Sequence, residues 1–185
     1  TGPVNRGKLQ AVAHGMRRLL DGRDLDYVAV VDQDGDHFGN ELLNFIRAAL
    51  YIAGKTGTDR ILVLGRRISR HRPLGFLRDA LEELASRVLL DALAYDAAVN
   101  GRPLRLECVT TLEEFPDFHS GYKLFSRSAA KDVFLHEPQF CQLPEKAYFK
   151  HGCEAVMTVE AIKGGAHLVA VNRSTLKEQP LSFFG

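Results

Sequence analysis

The chain has 185 residues, 45% of them hydrophobic and 25% charged, enough to bury one substantial core in a single globular domain over 1–185. Its 24 Lys plus Arg almost balance 23 Asp plus Glu, leaving a formal charge of +1 and no global field to draw in nucleic acid or an anionic membrane. No run approaches the roughly 20 apolar residues that cross a bilayer, and the first residues lack the apolar stretch of a signal peptide.

In chain order, apolar residues recur at helical spacing over 8–20, with Asp21-Gly22 as the stop. The β-branched run 27–31 predicts a strand buried on both faces of a mostly parallel sheet, and it ends in acid. A helical pattern over 40–53 and a second buried strand over 60–65 follow, so strand, helix and strand alternate and the class is α/β. Residues 74–94 predict a long helix. After the turn at Asn100-Gly101-Arg102-Pro103, 104–109 predicts a strand. A short strand over 120–125, helices over 128–135 and 154–164, and a last strand over 167–171 complete the chain. Cys108, Cys141 and Cys153 are odd in number, widely spaced and without a C-x-x-C pair, so neither a disulfide framework nor a structural zinc site is expected, and a reducing cytoplasm fits.

Asp32-Gln33-Asp34-Gly35-Asp36-His37 sets three carboxylates at alternate positions directly after a buried strand, where an α/β sheet presents its ligand-binding edge. Asp32 and Asp34 can turn toward one hard divalent cation, Mg²⁺ or Mn²⁺, which would neutralise them and bridge to phosphate oxygens. The same triplet also suits a solvated acidic loop in which Asp36 or His37 caps the next helix. An EF-hand starting at Asp32 fails, because His37 stands where Gly is needed and Leu43 where Glu is needed.

Asn5-Arg6-Gly7-Lys8, the acidic run at Asp32, Gly65-Arg66-Arg67, and Asp117-Phe118-His119-Ser120-Gly121-Tyr122-Lys123 occur in an order that resembles family-two glycosyltransferases. The match is closest to the dolichyl-phosphate mannose synthase-like branch, with its N-x-G-K, D-x-D-x-Q-H, G-S-R and D-x-x-S-G-F-R segments, and it runs from Asn5 to about Arg173. The resemblance implies a GT-A type of fold, with a mostly parallel central sheet flanked by helices. It also implies a metal-dependent transfer, inverting the anomeric centre, from a nucleotide-sugar donor to a lipid-phosphate or saccharide acceptor. Asp32 and Asp34 then match the pair that holds Mg²⁺ or Mn²⁺ and the diphosphate, with Asp36 standing where the family has Gln. Asn5 and Lys8 match the loop facing the nucleotide phosphates, where helix N-terminal donors favour anions.

Arg67 matches the arginine of G-S-R, and the basic run Arg66-Arg67-Ile68-Ser69-Arg70-His71-Arg72 suits an anionic acceptor or a leaving diphosphate, as it also suits a solvated loop. Asp117, Ser120 and Lys123 fall in the acceptor-side segment, with Tyr122 for Phe and Lys123 for Arg. A turn leading a core aromatic into the sheet would explain the same residues without chemistry. A hydroxyl acceptor needs a carboxylate to take its proton, for which Asp117 or Glu154 is the candidate; an acceptor phosphate needs none. Glu154 also suits a favourable acid in a first helical turn. His14, His136 and His167 read as surface or packing residues.

Family members begin with a strand and helix that nothing before Asn5 supplies, and the chain opens without methionine, so a fragment of a longer protein is expected. Membrane association is expected only through segments beyond this chain, at the cytoplasmic face. Two alternatives stand beside the transferase: a haloacid-dehalogenase-like phosphohydrolase with Asp32 as nucleophile and Asp34 as acid/base, and a catalytically silent binding domain of the same fold.

Overall fold

The computed structural model describes residues 7–33, 37–68, 75–109, 115–136, 144–150 and 152–174. Its elements run α1 (Lys8–Gly22), β1 (Tyr27–Val30), a 3-10 turn (Gly39–Glu41), α2 (Leu42–Thr56), β2 (Ile61–Arg67), α3 (Phe76–Val99), β3 (Lys123–Ser126), α4 (Arg127–Phe134), α5 (Glu145–Lys150), α6 (Cys153–Lys163) and β4 (His167–Arg173). The chain is therefore an α/β protein with a four-stranded mixed sheet, ordered β1-β3-β2-β4, and six flanking helices among the described residues.

The expectation of a mostly parallel sheet needs correction. β1, β2 and β4 share one direction, but β3 enters between β1 and β2 the opposite way. Two of the three ladders are thus antiparallel, and β2 with β4 is the parallel one. β1 is also not buried on both faces: Val28 and Val30 are buried while Tyr27 and Ala29 are half-buried, as a strand with one neighbour among the described residues allows. The strand predicted over 104–109 does not form. One bridge, Cys108 to Val169, and a bond from the Leu168 amide to the Arg105 carbonyl lay this segment beside β4 without a ladder. Helix α5 was not legible, because six residues are too few for helical periodicity to stand out.

Alternate residues of the strands face opposite sides of the sheet, and two cores follow. Leu62, Leu64, Phe125 and Leu168 pack with Leu9, Met16 and Leu20 of α1, Ala129 and Phe134 of α4, and Met157 and Ala161 of α6. Ile61, Val63, Leu124 and Val169 pack on the other face against Phe45, Ala49 and Ile52 of α2. Leu62 and Val63 are both fully buried although adjacent, which explains the unbroken apolar run in the sequence. Ser126 joins β3 to α4: its hydroxyl caps the helix at the Ala129 amide, accepts from the Ile61 amide and donates to the Asp59 carbonyl.

Helix α3 turns Leu93 and Ala97 inward and leaves Leu77, Leu81, Leu84, Val88 and Tyr95 exposed. No helix among the described residues is long and apolar enough to cross a membrane.

Candidate functional site

The register brings the sequence-distant motifs to one edge of the sheet. Val30 pairs with Lys123, Leu64 with Lys123, and Arg67 with Arg173. The carboxyl ends of β1, β2 and β4 and the amino end of β3 therefore lie together, which is where α/β sheets present ligands. The N-termini of α1 and α6 reach the same place, because Lys8 bonds to both Asp32 and Glu154.

Lys8 opens α1 behind Gly7, whose φ of 106° lies where side chains are strained. A Cβ there would also stand 2.3 Å from the Phe149 carbonyl oxygen, so the glycine of Asn5-Arg6-Gly7-Lys8 lets the start of α1 pass close to α5. The Lys8 ammonium is 2.6 Å from Asp32 Oδ1 and donates to Glu154 Oε1. Burial alone would depress its pKa, but the hydrogen bonds it donates to Asp32 and Glu154 and their charges outweigh this and hold it above the ordinary lysine value. Burial likewise opposes ionisation of Glu154, and the Lys8 hydrogen bond and charge override it to keep the carboxyl below its ordinary value.

Asp32 follows β1 and lies against Gly121. A Cβ on Gly121 would fall 2.2 Å from Asp32 Oδ2, so glycine there leaves the carboxylate its place. Gly65, in β2, makes similar room for Phe45 and Arg173, with a Cβ falling 2.6 Å from the Phe45 ring. Its carbonyl accepts from the Ser120 hydroxyl at 2.5 Å and from Arg173 Nε at 3.1 Å. Ser120 thus ties the 117–123 segment to β2, and the Gly65 amide donates to the Tyr122 carbonyl beside it.

Lys123 is fully buried. Its ammonium donates to the carbonyls of Phe118 and Ser120, bracing the turn that carries Gly121. Burial drives its pKa down to about 8, with Glu154, Asp117, Cys153 and Asp32 opposing through their charge. Cys153, at the start of α6, is pushed up to about 12 by burial and by Glu154.

Arg67 and Asp117 form a bidentate pair, with Nε to Oδ2 and Nη2 to Oδ1 both at 2.7 Å, and the Arg67 amide adds a third bond to Oδ2 at 3.3 Å. Glu82 of α3 accepts from Nη2 at 2.9 Å. Arg67 is 7% exposed and Asp117 3%, so the guanidinium expected to meet a diphosphate and the carboxylate expected to face the reaction centre bond each other below the surface. Sequence reasoning missed Glu82, which lies 15 residues along the chain from Arg67 with no spacing signal. It also missed His119, whose ring contacts the Ser86 hydroxyl at 3.3 Å and whose pKa burial lowers. Arg173, 2% exposed at the end of β4, is a further buried cation of this edge. His14 and His136 are exposed, and His167 is buried in β4.

Mg²⁺ and Mn²⁺ prefer hard oxygen ligands. Asp32 supplies such a group, 23% exposed and already holding a cation in the form of the Lys8 ammonium, so its chemistry fits one ligand of such an ion. Among the described residues no three His, Cys, Asp or Glu side chains gather as a metal-binding group. Asn5, Asp34, Asp36 and the basic run from Ser69 to Arg72 lie outside the described residues. No protein-family model matches the chain, and no curated protein or solved structure matches it significantly.

Proposed function

We propose that the chain is the catalytic core of a metal-dependent glycosyltransferase of the GT-A type, moving a sugar from a nucleotide-sugar to a lipid-phosphate or saccharide acceptor. The observation that carries this reading is convergence: Lys8, Asp32, Gly65, Ser120–Lys123 and Glu154, far apart in sequence, meet at the carboxyl edge of the sheet. A structural core has no need to collect charged residues from four segments at one edge, whereas a polyanionic ligand with a cation does.

In this reading Asp32 and Asp34 hold Mg²⁺ or Mn²⁺, which when bound neutralises the charge that grows on the departing diphosphate. Lys8 and Asn5 face the phosphates at the N-terminus of α1. The acceptor oxygen bonds to the anomeric carbon as that carbon's bond to the β-phosphate oxygen breaks, and the nucleoside diphosphate leaves. A hydroxyl acceptor gives its proton to a carboxylate. Glu154 suits this role better than Asp117, since it is held ionised at the rim while both Asp117 oxygens are engaged by Arg67. The pair of Arg67 and Asp117, braced by Glu82, fixes the floor on which Ser120, Gly121 and Lys123 stand.

Calorimetric titration of the full-length protein with nucleotide-sugars and nucleoside diphosphates, with and without Mn²⁺ and beside Asp32→Ala, tests the reading. Binding that requires Mn²⁺ and is lost in the variant is expected. Absence of binding across the panel would overturn it in favour of a silent binding domain, and phosphate release with trapping by fluoroberyllate at Asp32 would replace it with the hydrolase.

A further inference from the structure

We propose that the Lys8 ammonium is a tethered counter-cation for Asp32 and Glu154, which a divalent cation must displace, so that metal binding releases Lys8 toward the phosphates that arrive with it. The inference rests on the glycosyltransferase reading and adds an order of events to it.

Three features place Lys8 in this role. Its ammonium bridges two carboxylates from different elements, at 2.6 Å to Asp32 and in hydrogen-bond contact with Glu154, 146 residues away. The carboxylates are the shorter, less exposed partners: Asp32 lies against the Gly121 backbone, and Glu154 sits in the first turn of α6, their side chains 23% and 21% exposed. Lys8 is the movable one, 43% exposed on a flexible four-carbon stem at the first residue of α1. Lys123, the other lysine at this edge, is committed to the carbonyls of Phe118 and Ser120 and is fully buried, so it cannot exchange places with a metal.

The charge change gives the exchange its consequence. Lys8, Asp32 and Glu154 together carry a formal charge of −1, and adding a divalent cation while keeping Lys8 takes the group to +1, so the edge changes from anion-repelling to anion-seeking. Metal and nucleoside diphosphate should then bind with positive coupling, each favouring the state in which Lys8 has left the carboxylates.

The test is Mn²⁺ binding followed by electron paramagnetic resonance, first with Mn²⁺ alone and then with UDP or GDP, on the full-length protein and on Lys8→Met. Removing the competing ammonium should tighten binding of Mn²⁺ alone by about five- to tenfold and weaken the coupling between Mn²⁺ and the nucleotide. A lysine that only stabilised the fold would leave the affinity for Mn²⁺ alone unchanged or lower. If Lys8→Met loses helix content by circular dichroism, Lys8→Gln carries the same comparison. Wild-type binding of Mn²⁺ with nucleotide, together with unchanged or weaker Mn²⁺ binding in the variant, would overturn this inference and leave the glycosyltransferase reading standing. No Mn²⁺ or nucleotide binding in any form would overturn both.

Discussion

Lys123→Met tests the electrostatics of the site through pH. Methionine approximates the length of the lysine stem but donates nothing, so it removes a buried charge and leaves the Phe118 and Ser120 carbonyls without their donor. Those losses and gains are combined at any single pH, but they separate along the pH axis. Lys123 titrates at about 8 in the folded chain against an ordinary 10.5. Below about 8 both states carry the proton and the folded protein bears the whole penalty of a buried ammonium. Between about 8 and 10.5 the unfolded chain binds one more proton than the folded one, so stability from this group rises with pH. Above 10.5 the penalty is gone.

The full shift corresponds to about 3 kcal/mol, or a change of roughly 6–12 °C in Tm for a chain of this size. Urea unfolding followed by circular dichroism from pH 7 to 11 should therefore show wild type gaining about 3 kcal/mol relative to Lys123→Met across that range. A difference that stays flat, or moves against wild type, would refute a depressed Lys123.

Gly121→Ala should fold but lose Mn²⁺-dependent nucleotide binding by calorimetry, since the added Cβ takes the place of Asp32 Oδ2. Asp117→Ala leaves Arg67 buried with Glu82 as its remaining carboxylate partner and should cost about 3–5 kcal/mol in denaturant unfolding. Cys153, pushed up to about 12, should resist iodoacetamide at pH 8 in the native protein and react once unfolded, by mass spectrometry.

Much of the architecture was legible where periodicity is long. Helix α1 and strands β1, β2 and β4 lie within a few residues of their predicted positions, because their burial imposes apolar patterns that no other arrangement satisfies. The direction of β3 was not legible. Lys123-Leu124-Phe125-Ser126 reads the same whichever way it enters the sheet, and only the pairing of Lys123 with Val30 and Leu64 reveals it. The 104–109 segment misled because Leu104 and Leu106 pack against the core without a ladder, giving a strand-like alternation with little strand hydrogen bonding.

In the site, individual motifs named Lys8, Asp32, Arg67, Asp117, Ser120, Lys123 and Glu154, but not how they pair. That Lys8 would hold Asp32 and Glu154, and that Arg67 would take both oxygens of Asp117, depends on three-dimensional juxtaposition across 146 and 50 residues of chain. Glycine carried more positional information than its frequency implies. Gly7, Gly65 and Gly121 each stand where a Cβ would strike a site-forming or packing neighbour, so the turn-like residues of the motifs have steric roles.

The most direct measurement is the position of Mn²⁺ in crystals of the full-length protein grown with Mn²⁺ and a nucleoside diphosphate, located by anomalous scattering. An Mn²⁺ peak bonded to Asp32 and to the diphosphate oxygens, at the edge formed by the ends of β1 and β2, is the predicted result. Nucleotide bound elsewhere, or Mn²⁺ with no contact to Asp32, would contradict the assignment of this edge as a nucleotide-sugar site.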